Sequence, residues 1–246
     1  METRRTAVIC VLFYLAVGTS SAQSYSQMGA IPSLLFRQEI NQAWDASLAL
    51  SSQMLLTEDF VNGQDFPKKV RNFNIQAIVS YDRSPRLKFD FGFLARKMDP
   101  FDEVSAYELR PWQQATAQFY LGKFRLRHRL RLEERIYTRE DQATDLDWRL
   151  RIRLSLDFPL AGARLDPGEF YVNTSFEAVS LLDQEDVIGN WENRSYFGTG
   201  YLFSSGNRLE IGPEIRYARR MEQLNSLITY WRVVWVHAID LRQNVP

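Results

Sequence analysis

The sequence predicts an all-β fold: a transmembrane antiparallel up-and-down β-barrel of about 10–12 strands, entered after a short export signal. Three observations predict it. Apolar and polar residues alternate over segments longer than the strands of soluble domains. The one long apolar run lies near the N-terminus and is too short for a spanning helix. Tight turns alternate with longer polar loops along the rest of the chain.

The first element reads as a signal peptide. Arg4 and Arg5 precede an apolar stretch from Thr6 to Gly18, and Ser20-Ser21-Ala22 supplies the small residues of a cleavage site. Cleavage after Ala22 divides the chain into a signal, 1–22, and a barrel, 23–246. The apolar stretch falls short of the roughly 20 residues that a spanning helix needs. The only cysteine, Cys10, lies inside it, so the exported part has no disulfide, thiolate nucleophile or cysteine-based metal site. Lys and Arg number 30 and so do Asp and Glu, and this zero net charge gives no reason to expect a nucleic-acid partner.

After the signal the chain reads as eleven strand-like segments, near 32–41, 43–55, 70–82, 86–97, 111–121, 124–137, 145–158, 169–181, 191–204, 207–219 and 226–241. In the fourth, Leu87, Phe89, Phe91 and Phe93 share one face while Lys88, Asp90 and Gly92 share the other. The third alternates Phe73, Ile75, Ala77, Val79 and Tyr81 with Asn74, Gln76 and Ser80. Strands of soluble domains average about 5–6 residues, whereas a tilted membrane strand takes about 9–11. Length therefore selects the membrane. Tight connections fall at Asn41-Gln42, Arg83-Ser84-Pro85, Gly122-Lys123 and Ser205-Gly206, and longer ones at 56–69, 98–110, 138–144, 182–190 and 220–225. An even strand number is the rule for such barrels. Either the first segment lies in or under the barrel, leaving ten, or a further strand near Ser24 to Ala30 makes twelve.

The sharpest alternation is a hairpin. Arg125, Arg127, Arg129, Arg131, Glu133 and Arg135 share one face of its first strand, and Asp147, Arg149, Arg151 and Arg153 share one face of its second. Pointing these at lipid would cost about 2–4 kcal/mol for each arginine near the midplane, so they line the interior and the leucines face out. A register in which paired numbers sum to 282 sets Glu133 against Arg149, Arg135 against Asp147 and Leu130 against Ile152. A slip by two residues would set Arg131 against Arg149, which is electrostatically worse. This ladder reads either as an anion-attracting lumen or as interior packing. Packing is favoured by the small strand number, with Glu39, Asp45, Asp90, Asp157, Glu177, Glu210 and Glu214 as further counter-charges. Aromatics near strand ends (Trp44, Tyr81, Trp112, Tyr120, Tyr137, Trp148, Tyr171, Trp191, Tyr201, Tyr217, Trp231 and Trp235) read either as interfacial girdles or as ordinary strand formers.

Chemical motifs are scarce. There is no G-x-S-x-G elbow, Gly-rich phosphate loop or H-E-x-x-H, and His128 and His237 have no metal-ligand companions in sequence, so neither a cofactor nor a metal is expected. His128 falls on the leucine face of its strand. Ser155 or Ser175 beside it across strands would be the start of a hydrolase site, although Ser155 is phased inward.

The arginine hairpin (FRLRHRLRLEERI, LDWRLRIRLSLDFPL), the stretch FYVNTSFEAV, the N-R-x-Y-x-G-x-G-Y run from Asn193 to Tyr201 and a final alternating strand follow one order. In this the chain resembles an uncharacterised bacterial family catalogued as domain of unknown function 2490. The resemblance covers most of the chain after the signal and is clearest from Gln113 onward. It implies an exported barrel of the Gram-negative outer membrane with no assigned activity and no catalytic residues. One departure stands out: such barrels usually end on an aromatic residue, and this chain reads DLRQNVP at its end, so either the recognised strand ends earlier, near Val236 to Leu241, or insertion is less standard.

Two functions follow as expectations. The first is a structural or narrow-passage, porin-like barrel with an Arg/Glu-lined interior. The second is an outer-membrane enzyme acting on lipid or lipopolysaccharide. A ligand-carrying periplasmic barrel fits less well, because its interior would be apolar. The expected partners are outer-membrane lipid, lipopolysaccharide and the assembly machinery.

Overall fold

A computed structural model describes residues 24–61, 63–139, 144–182, 191–204, 206–219 and 225–239. The proposed signal segment, its cleavage site and the end of the chain after Ile239 lie outside the described residues. Among the described residues no helix forms, and thirteen strands do. They are β1 (Ser24–Glu39), β2 (Trp44–Leu55), β3 (Asp59–Val61), β4 (Gln64–Phe66), β5 (Lys69–Ser84), β6 (Leu87–Met98), β7 (Ala106–Leu121), β8 (Phe124–Arg139), β9 (Asp145–Pro159), β10 (Glu169–Leu181), β11 (Trp191–Ser204), β12 (Asn207–Arg219) and β13 (Asn225–Ile239). Strands β3 and β4 form a separate small hairpin, and the other eleven close into one barrel.

Eleven corrects the expectation of an even number. Neighbours in a meander alternate in direction, so the first and last strands of an odd barrel run the same way. β1 accordingly pairs with β13 in parallel, from Ser24 with Asn225 to Gln38 with Ile239. All other barrel pairs are antiparallel. Residues 24–30, read above as the possible extra strand, are the first half of β1. β1 thus begins before Pro32, where the first segment was expected to start, and β7 begins at Ala106 rather than at Pro111. Both prolines sit inside strands at places where one neighbouring ladder skips: between Ala30 and Ser33 on the β2 side, and between Leu109 and Trp112 on the β8 side. Pro213 falls in a similar gap, between Ile211 and Glu214 facing β11. A missing N–H costs little where no ladder bond would form.

The hydrogen-bonding direction gives the barrel's shape. Starting at Pro159, it passes through Tyr171, Gly200, Glu210, Val234, Ser33, Ser51, Asn74, Arg96, Glu108 and Tyr137, and returns to β9 at Asp145. That stagger of about 14 residues over eleven strands tilts them by about 40°, within the usual range for barrels. Strands of 12 to 16 residues then rise about 30–40 Å along the axis.

The two ends differ. The connections 40–43, 85–86, 122–123 and 160–168 gather at one end, with the C-terminus of β13. Gly122, at φ 60, supplies the left-handed residue of the tightest. The connections 56–68 and 99–105 lie at the other end, beside the start of β1. There the β3–β4 hairpin folds over the mouth. Gln27 donates to the Thr57 and Phe66 carbonyls at 3.1 and 2.9 Å, and Tyr25 stacks on Phe66 at 4.0 Å. A small apolar cluster of Ile31, Leu55, Ile228 and Tyr230 lies beneath it.

Apolar side chains face outward around the wall, among them Leu34, Phe91, Leu130, Ile152, Phe197 and Ile211, all about half-exposed. Of the aromatics read as girdle candidates, Trp112 and Tyr171 instead point inward and are buried, and Tyr120 and Tyr137 share their strands' inner registers. Outside, Trp44 packs on Tyr81, Phe170 on Tyr201 and Phe203 on Trp235 toward the short-turn end, while Trp191 packs on Tyr217 toward the other.

Candidate functional site: the arginine wall

Period-two alternation puts every second residue of β6 to β12 on the inner wall, and there the charges meet. The β8–β9 hairpin has the register whose numbers sum to 282, with Glu133 opposite Arg149, Arg135 opposite Asp147 and Leu130 opposite Ile152. The same register sets Arg129 opposite Arg153 and Arg131 opposite Arg151. Like charges directly across a ladder repel. They are held because carboxylates lie between them.

Glu108, Glu133 and Glu177 are completely buried, and each serves several guanidiniums. Glu108 receives Arg110 at 2.5 Å, Arg135 at 2.8 Å and Arg96 at 3.2 Å. Glu133 receives Arg149, Arg151 at 2.7 Å, Arg110 at 3.4 Å and Arg131 at 3.5 Å. Glu177 receives Arg129, Arg151 at 2.6 Å and Arg153 at 3.1 Å, with Arg194 at 3.8 Å. Arg151 thus joins the last two carboxylates. Arg194 also pairs with Glu192 at 2.6 Å, and Glu214 holds Arg216 at 2.6 Å and Arg232 at 3.4 Å. Aromatic faces take up further cationic surface. Arg131 lies 3.8 Å over Trp112, Arg216 4.7 Å over Tyr230 and Arg232 5.1 Å over Tyr196.

Toward the short-turn end the wall opens. Asp157 holds Arg125 at 2.5 Å and Arg127 at 2.9 Å and accepts from the Asn173 amide. Across the barrel Asp45 holds Arg37 at 2.7 Å and Lys88 at 2.8 Å. These cations are between 27 % and 43 % exposed, against 8–18 % for Arg129, Arg131, Arg149, Arg151 and Arg153 deeper in. Inward-facing Ser47, Ala49, Gln76 and Ile78 on the opposite wall are also partly exposed. The interior is therefore a basic vestibule at one end, packed with charge from mid-height onward.

The ladder residues join this network, and Asp147 lies 3.9 Å from Arg135, whose Nε is turned to Glu108. Glu108, Arg110, Arg96, Arg194 and Arg232 join the network without standing out in the sequence. Glu108 and Arg110 fall in the expected connection 98–110, although the alternation of YELR continues that of β7.

The histidines are apart from this wall. His128 faces outward between Ala117 and Leu154, with Phe119 edge-on at 6.2 Å. Ser155 and Ser175 face each other on the inner wall, on the opposite side of the sheet. His237 is outward beside Phe36 at 6.3 Å. Among the described residues, no group of histidine, cysteine and carboxylates is arranged to hold a metal.

A family model described as "Protein of unknown function (DUF2490)" matches residues 33–225, and the chain belongs to that family. Neither the curated proteins nor the solved structures hold a match to it.

Proposed function

We propose that the chain is an exported barrel of the bacterial outer membrane whose interior is a charged packing with at most a narrow passage for small anions. Its role on this reading is structural or narrow-passage transport rather than catalysis. The observation that carries it is the inverted wall, with buried Glu108, Glu133 and Glu177 and their arginines inside and half-exposed Leu130, Ile152 and Phe197 outside. Water would favour the opposite arrangement, whereas a bilayer favours this one. A strand rise of about 30–40 Å suits a hydrocarbon core of about 30 Å. Short turns then belong to the periplasmic side and the longer connections to the outside. Lipid and lipopolysaccharide contact the apolar wall, and the assembly machinery inserts it.

The enzymatic alternative needs a histidine within hydrogen-bond reach of a nucleophile, and His128 shares a face with neither Ser155 nor Ser175. Conductance across planar bilayers tests the passage. Small steps with an anion-selective reversal potential, weakened in Arg127→Gln, support transport. A folded but silent barrel leaves the structural role alone. Currents that favour cations would contradict an arginine-lined path.

A further inference from the structure

The arginine wall is not balanced by its own carboxylates. Glu177 alone serves four arginines, and so does Glu133. Such a surplus of cations inside a low-dielectric barrel is costly unless an anion offsets it.

Half of the unpaired polar atoms belong to one part of the wall. Among the described residues, buried side-chain atoms without a hydrogen-bond partner are Gln38 Oε1, Trp112 Nε1, the Nε of Arg127, Arg129 and Arg153, and the Tyr196 hydroxyl. Three of the six, the Nε atoms of Arg127, Arg129 and Arg153, come from two adjacent inward rows of β8 and β9. Ser155 and Ser175 are Cα partners, and Arg127 is the next across from Ser155. The Tyr196 hydroxyl lies apart from them, over Gly198 on its own strand. Arg129 and Arg153, opposite each other, form the adjacent inward row. Native proteins rarely leave buried donors unmatched, and each costs about 1–3 kcal/mol. Elsewhere on the wall the guanidinium edges are spent on carboxylates: Arg149 gives both Nε and Nη2 to Glu133, and Arg125 gives both to Asp157. Arg127, Arg129 and Arg153 give only Nη2.

We propose that Arg127, Arg129 and Arg153, with the hydroxyls of Ser155 and Ser175, form a binding site for a phosphate group. This deepens the reading above, because it rests on the vestibule admitting small anions. A tetrahedral oxyanion offers several acceptor oxygens to several guanidiniums and hydroxyls at once, and chloride does not. The route is from the short-turn end, past the partly exposed Arg125, Arg127 and Arg37. At the other end the connections 56–68 and 99–105 carry Glu58, Asp59, Asp65, Asp99, Asp102 and Glu103 against Lys68 and the Lys69 that bridges Asp99 and Asp102, a rim with an acidic excess.

Titration calorimetry of the folded full chain in detergent tests this, with inorganic phosphate, glycerol 3-phosphate and chloride at matched ionic strength. Saturable phosphate binding that chloride does not displace is expected. It should weaken at least about tenfold in Arg153→Gln and in Arg127→Gln, and remain in Lys69→Gln at the loop end. Ser155→Ala changes no charge and is the variant that decides if either arginine change prevents folding; a severalfold weakening is expected. Equal affinity for inorganic phosphate and the ester supports a site for phosphorylated solutes; preference for the inorganic ion supports free phosphate. Phosphate binding with a silent bilayer removes the passage and leaves the site. Indifference between phosphate and chloride, or full affinity in the folded variants, overturns the site whatever the conductance.

Discussion

Changing Glu177 to Gln isolates what the shared carboxylates do. The substitution keeps the side chain's size and one carbonyl oxygen, but removes the charge toward which Arg129, Arg151, Arg153 and Arg194 converge. Glu177 is completely buried, so water cannot replace it. Arg151 alone directs Nε and Nη2 at its two oxygens, at 3.2 and 2.6 Å. The new amide NH2 turns one acceptor into a donor facing a guanidinium. Breaking one partner out of a buried ion group costs about 3–5 kcal/mol, a large share of a typical stability of about 5–15 kcal/mol. Urea unfolding in lipid vesicles, read by tryptophan fluorescence and by heat-dependent gel mobility, measures the loss. Glu134→Gln, on the outward face opposite Trp148, is the control and should stay within about 0.5 kcal/mol. Adding Arg153→Gln to Glu177→Gln removes one uncompensated cation, so the double variant should be more stable than additivity predicts by about 1 kcal/mol or more. A Glu177→Gln loss below about 1 kcal/mol, or strict additivity, would refute the claim that these carboxylates hold the arginines together.

Two further perturbations probe other parts of the wall. Ile152→Arg places a charge at mid-height on the outer face and should cost about 2–4 kcal/mol in vesicles; a neutral outcome would argue against lipid at that surface. Gly92→Ala puts a methyl group against the indole of Trp112, itself covered by Arg131, and should destabilise by about 1–3 kcal/mol in the same assay, with unchanged stability showing that the indole can move aside.

Most of the barrel was legible because its signal is redundant. Period two fixes which face of each strand is buried, and the cost of turning arginines toward lipid fixes which face is inside, so β8 and β9 could be paired to the residue. Strand ends were less legible. Pro32 and Pro111 look like boundaries, and only the neighbouring ladders reveal that their missing N–H groups fall in gaps. The parallel seam was illegible for another reason. Nothing within β1 or β13 distinguishes a parallel from an antiparallel neighbour, and only the position of residues 24–30 in the same strand settles the parity. The network depended on long-range geometry. That Arg135 turns from its cross-strand partner Asp147 to Glu108 depends on the β7–β8 pairing, which the pattern within β8 does not reveal.

The charge total hides the arrangement that matters. Thirty cations and thirty carboxylates cancel over the chain, yet they are sorted along the barrel. The connections 56–68 and 99–105 are rich in carboxylates, and mid-height is rich in arginines. Interior filling alone does not require this. An apolar filling of equal volume would be no less stable, since desolvating buried ion groups offsets much of their attraction. A balanced Arg/Glu filling would also avoid setting Arg129 against Arg153 and Arg131 against Arg151. The sorted surplus creates a potential that rises from the acidic rim to the arginine wall, and such a gradient acts on mobile anions at the vestibule as well as on the wall itself. Packing therefore accounts for the presence of charge in this interior, while the excess of one sign is what the proposed anion site would use.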